Sequence, residues 1–211
     1  MSRIDSRQAM IDAAERIVAE RGMPALTLKD VQIAANQSNK SAAKYHFGSR
    51  ERLLYAVVDS RMVRVQSRRQ EMLDALDRSG QDPTLTQVME VLVRPLAAET
   101  VYRAGSRCAR FLVQAVFDPA LDDVVQKHLQ VDSYVTTVEM LTSLCPAPPD
   151  IARWRIENVG MLLVTALAAR EGYERTVEEC DVIVADLVSM CVGALEAPVP
   201  SVESSEASGR K

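Results

Sequence analysis

The chain has 211 residues, 47% of them apolar, 26% charged and only 4% aromatic, which gives room for a sizeable core and suits one domain with a smaller appendage. No apolar run nears the roughly 20 residues of a bilayer span and the opening MSRIDSRQ has no apolar signal core, so a membrane partner is not expected and a cytoplasmic location is. The net charge of −4 argues against a nucleic-acid partner, but it hides an asymmetry: residues 1–69 hold 13 Lys/Arg against 7 Asp/Glu, whereas residues 70–211 hold 12 against 22.

From residue 7 to 20, Met10, Ala13, Ala14, Ile17 and Val18 recur at three- and four-residue intervals, the mark of one helix face, and Gly22 stops that helix. Thr27 offers a hydroxyl cap to a short second helix running through Val31 and Ile33. The exposed amides beside Thr27 suit a phosphate as well. Asn36-Gln37-Ser38-Asn39 then interrupts the pattern, and Asn36 is a side chain that tolerates the left-handed conformation of a tight helix-to-helix turn.

A third helix is expected over about 40–46. Together these three helices make a helix-turn-helix, which lays its last helix in a DNA major groove. Gly48 breaks it, and Ser49 caps a long connecting helix over about 50–76 with Glu51 well placed in its first turn.

The rest of the chain reads as helices broken at residues 80–83, 103–105, 118–119 and 145–150, with no strand pairs between them. The total is about nine helices in an all-α fold: residues 1–50 a helix-turn-helix domain, 51–195 a larger helical domain, and 196–211 a tail too polar to order itself. The last two helices, over 151–171 and 177–195, carry apolar stripes of Val159, Leu162, Leu163 and Ala166, and of Ile183, Leu187 and Met190. The stripes pack together and leave apolar surface over.

Cys108, Cys145, Cys180 and Cys191 form no C-x-x-C pair, so buried free thiols are expected, with no metal site and no cofactor. Glycine-rich phosphate loops, nucleophile elbows and His-x-x-x-His pairs do not occur, which leaves an enzyme without visible machinery. For a small-molecule site, the helices over 91–114, 134–144 and 154–163 offer polar groups among apolar ones: Arg94, Arg110, Gln114, Tyr134 and Asn158, with Phe111.

Thr27-Leu28-Lys29-Asp30-Val31, the polar turn, Tyr45-His46-Phe47-Gly48-Ser49-Arg50-Glu51 and Leu53-Leu54 resemble the amino-terminal signature of TetR-type transcriptional regulators. The match covers residues 7–58. It departs from the family pattern in having Asn36 where a turn glycine is usual, and in one extra residue between Val31 and Phe47.

The resemblance implies a homodimeric repressor that binds a palindromic double-stranded operator and is released by a small apolar or amphipathic effector. A constitutive dimeric regulator without an effector is the alternative. By the same resemblance, Lys40, Ser41, Ala42 and Lys44 face base edges, Asn39 belongs to the DNA-binding residues beside them, Tyr45, His46 and Arg50 meet phosphates, and the last two helices form the dimer interface. Lys29 is an exposed helix residue, suited equally to solvent and to DNA.

Overall fold

The computed structural model describes residues 3–37, 39 and 41–199, with side chains from residue 6 onward. Among the described residues there are ten α-helices and no strand: α1 (Arg3–Arg21), α2 (Leu28–Ala34), α3 (Ala42–Phe47), α4 (Arg50–Ser79), α5 (Leu85–Glu99), α6 (Cys108–Val116), α7 (Asp122–Leu129), α8 (Asp132–Leu144), α9 (Pro149–Arg170) and α10 (Val177–Glu196). Short 3-10 turns lie at Met23–Ala25 and Pro119–Leu121.

The helix ends follow from local chemistry. Thr27 accepts the Asp30 amide, Ser49 the Arg52 amide, and Thr84 and Thr176 form reciprocal capping boxes with Gln87 and Glu179. Asn36 takes a positive φ of 51°, which hands the α2–α3 turn to a residue with a short polar side chain in place of glycine.

One helix more than the expected nine appears because the stretch after Pro119 divides. Val131 adopts an extended conformation, and its carbonyl accepts the amides of Tyr134 (2.8 Å) and Val135 (3.0 Å), so a new helix starts there. The polar-apolar periodicity is nearly continuous across this kink and does not reveal it.

Met10, Ile11, Ala13, Ala14, Ile17 and Val18 of α1 are buried and meet Val31, Ala43, Phe47, Leu53 and Leu54 in the core of the first helices. From there α4 runs on against α5, α7 and α8, and α10 and α9 close the body over α5 and α6.

The first helices are tied to the body by polar contacts between distant residues. Gln114 of α6 accepts the Met23 amide at 3.0 Å and donates to the Val18 carbonyl at 2.8 Å. Arg61 of α4 reaches Asp12 and Glu15 of α1. The buried Glu171 carboxylate, after α9, accepts the amides of Ala109 (2.9 Å) and Arg110 (2.7 Å) and so caps α6; burial pushes its carboxyl above the usual range.

All four cysteines are free and buried, as expected. Among the described residues no helix is long and apolar enough to cross a membrane. Of the expected tail, Glu196 ends α10, and residues 200–211 lie outside the described residues.

Candidate nucleic-acid interface

The six residues of α3, with Ser41 at its cap, divide by face. Ala42, Ala43 and Phe47 turn inward, while Ser41, Lys44 and Tyr45 are exposed and His46 is half-buried. Positions 41, 44 and 45 lie three and four apart, so they share one side of the helix. Tyr45 is 65% exposed, and its ring meets that of His46 edge-on at 5.3 Å between centroids. A phenol and an imidazole presented this way are able to donate to an external anion.

The start of α3 corrects the expected boundary. It begins at Ala42, with Ser41 in the cap position, and Lys40 lies outside the described residues. Asn39 organises this start: its side-chain oxygen accepts the Ser41 amide at 2.9 Å, its carbonyl accepts the Ala42 amide at 3.1 Å, and the carboxamide of Gln32 donates to that same carbonyl at 2.9 Å. Asn39 is therefore a turn-former with an exposed flank. α2 buries Val31 and Gln32 and leaves Ile33 exposed, and no pattern in the sequence marks a glutamine for this inward place.

Ala42, at 7% exposure, packs into the core of the first helices. Arg50 turns away from the surface of α3: its Nε donates to the Leu26 carbonyl at 3.0 Å and its Nη2 to the Met23 carbonyl at 2.6 Å, bracing the connection between α1 and α2.

The cation beside the end of α3 is Arg52, which is exposed and whose Nη1 lies near Gly48. The capping pattern at Ser49 placed it in the first turn of α4, but nothing local said that Arg50 would fold inward and Arg52 outward. Thr27 donates its hydroxyl to Asp30 at 2.5 Å while accepting the Asp30 amide at 3.1 Å, so its side chain is committed to the cap. Lys29 is exposed on the same helix. Among the described residues, Lys29, Lys44 and Arg52 enter no ion pair, which leaves their charge available to an external anion.

Behind this surface the residues expected to line a small-molecule site do not converge. Gln114 is consumed between α6 and α1, Phe111 is core, and Arg110 donates its Nε to the Ala168 carbonyl at 3.2 Å. Asn158 is exposed on the outer side of α9. Arg94 pairs with Glu90 at 2.6 Å on the rim of an open cleft of about 730 Å³ between α4 and α5, and Tyr134 faces Arg69 from α8. Helix packing therefore spends most of these polar groups on structure.

The stripes of the last two helices are likewise sorted by packing. Val159, Leu163 and Leu187 are buried within the chain, which removes them from a surface shared with a partner; Leu162, Ala166 and Ile183 are half-buried and Met190 is exposed. The outward sides carry Trp154, Asn158, Met161 and Thr165 on α9, and Val182, Ala185, Ser189 and Met190 on α10.

No family model matches the chain, and no curated protein matches its sequence. Among solved structures, the chain is similar to a protein assigned to the TetR family of transcriptional regulators from Mesorhizobium loti MAFF303099, with a TM-score of 0.53, 12% identity, and coverage of 92% of this chain and 98% of that one. It is similar also to a transcriptional regulator from Rhodococcus sp. Rha1, with a TM-score of 0.55, 17% identity, and coverage of 92% and 99%. These likenesses show the overall fold.

Proposed function

We propose that this chain is a TetR-type DNA-binding transcriptional regulator. In this reading residues 1–50 form the DNA-binding domain and the rest of the helical body carries effector binding and dimerisation. The observation that carries the reading is the outward side of α3: Ser41, Lys44 and Tyr45 share one side of a short helix, with the unpaired cations Lys29 and Arg52 exposed on the helices next to it. The balance of +6 over residues 1–69 and −10 over residues 70–211 agrees with a head drawn to phosphate and a body repelled by it. The shared fold with two regulators supports the same reading.

The chain acts as a homodimer that sets two copies of α3 in successive major grooves of a palindromic operator. The partner packs on the outward sides of α9 and α10, where the apolar residues Met161, Val182 and Met190 are exposed. In the resting state it represses, and a small amphipathic molecule bound in the body releases it.

Selection of duplexes from a random pool at low salt, followed by binding measured at rising salt, tests this. The expected result is an enriched inverted repeat whose affinity falls by about 10³ to 10⁵ between 50 and 200 mM salt, as six to ten phosphate contacts require. Absence of binding to every duplex at 50 mM salt overturns the reading.

A further inference from the structure

The rings at the end of α3 stand in a row. Tyr45 meets His46 edge-on at 5.3 Å between centroids, and His46 meets Phe47 at 6.2 Å with the planes tilted by 50°. Arg7, near the start of α1, extends the row, its guanidinium carbon 5.4 Å from the centroid of the Phe47 ring. Phe47 is only 5% exposed, whereas Arg7 is exposed. A ring fixed in the core of the first helices thus holds a surface cation by the attraction of its π face.

Three features give that placement a use. In a helix-turn-helix the amino-terminal part of the last helix meets the base edges, so its other end lies towards a backbone strand. That end of α3, with Gly48 at its cap, presents carbonyls and no free amides, and a phosphate beside it must be met by a cation from elsewhere. Arg52 of α4 brings its Nη1 to Gly48, and Arg7 supplies a second charge from α1. Among the described residues Arg7 enters no ion pair; Asp12 and Glu15 on the same helix are engaged by Arg61. An arginine already laid on a ring loses little freedom when its fork takes up a phosphate.

We infer that Arg7, held on Phe47, is a phosphate clamp: it grips the duplex backbone where a strand passes the carboxy-terminal end of α3, and it adds no base preference. This rests on the reading of the chain as a DNA-binding regulator, and it adds a contact residue from outside α2 and α3. A cation that only covers the Phe47 ring would alter stability and leave DNA binding as it is.

Arg7→Gln, which removes the charge and keeps most of the stem, is compared with the parent in the full-length protein, on the selected inverted repeat and on an unrelated duplex, from 50 to 200 mM salt. The expected result is a loss of about threefold to tenfold on both duplexes at 50 mM, a salt slope shallower by about one per protomer, and an unchanged ratio between the duplexes. Arg7→Lys, which keeps the charge without the planar fork, is expected to keep the slope and lose part of the affinity. The melting temperature is expected to move by no more than about 3 °C in either variant.

An unchanged slope in Arg7→Gln overturns the inference, and with a lowered melting temperature it leaves Arg7 as a cover for Phe47. A changed ratio between the two duplexes overturns it as well, because Arg7 then reads bases. A parent that binds DNA while Arg7→Gln keeps its slope rejects the clamp alone; a parent that binds no duplex rejects the regulator reading and the clamp with it.

Discussion

The guanidinium of Arg61 on α4 meets the carboxylate of Glu15 on α1 at 2.6 Å, with both side chains almost wholly buried, at 3% and 4% exposure for the two residues. The pair joins the first helix to the long connecting helix, and Asp12 closes on the other side of the fork at 2.7 Å. Glu15 also accepts the Arg107 amide at 3.3 Å, so one carboxylate touches α1's two main neighbours, α4 and the segment leading into α6.

Removing one partner of such a pair strands the other in an apolar setting. Arg61→Met is therefore expected to cost about 3–5 kcal/mol in urea unfolding, whereas Arg61→Met combined with Glu15→Leu recovers most of that loss. A single variant as stable as the parent would mean that the pair is solvated in solution.

Lys44 projects from the outward side of α3, and lysine donates well to guanine O6 and N7. Lys44→Ala is expected to relax the preference at one position in each half-site. Equal weakening on all sequences, with the salt slope reduced by about one per protomer, would assign it to phosphate instead.

Arg50 is braced against the Leu26 and Met23 carbonyls. Arg50→Ala is expected to lower stability by about 1–3 kcal/mol and to leave the salt dependence of DNA binding unchanged. A shallower slope at unchanged stability would return Arg50 to the backbone contacts that the family resemblance implies. Arg52→Ala is the matched control, with the opposite expectation.

Met161 and Val182 are exposed on α9 and α10, so a charge placed there disturbs no core of the single chain. Met161→Glu with Val182→Glu is expected to reduce the sedimenting species to the single-chain mass with helix content intact. A variant that remains dimeric places the partner elsewhere.

Burial works against the charge on Glu99, but the hydrogen bond and charge of Arg64, with Arg103 behind it, outweigh that and hold its carboxyl below the ordinary value of 4.5. A carboxyl depressed on folding contributes stability above its unfolded value and loses it as pH falls through the lower folded value. The stability gap between the parent and Glu99→Gln is thus expected to be full at pH 7 and to shrink only below about pH 4.5. A gap that is the same at pH 7 and at pH 3 would show that ionisation of Glu99 does not matter.

Much of the organisation was legible because it depends on residues close along the chain. Thr27 and Ser49 cap the helices they precede, Asn36 takes the left-handed turn, and the breaks at Gly80 and Pro119 fall where residues of that type end a helix. The apolar spacing of α1 marked its buried face, and the charge split was plain from composition alone.

What the tertiary structure decided is the fate of the polar side chains, because their partners are far away in sequence. Gln114 is held by Val18 and Met23, 96 and 91 residues earlier, and Arg50 by carbonyls 24 and 27 residues back, partners that neither position reveals in the sequence. Whether Leu187 or Met190 faces a partner depends on which side of α10 meets α5 and α9, and periodicity gives a stripe without saying what covers it. Arg69 is the converse case: nothing in the sequence sets it apart from the other arginines of the long helix, and only the packing of α8 across it shows a buried cation without a counter-ion among the described residues.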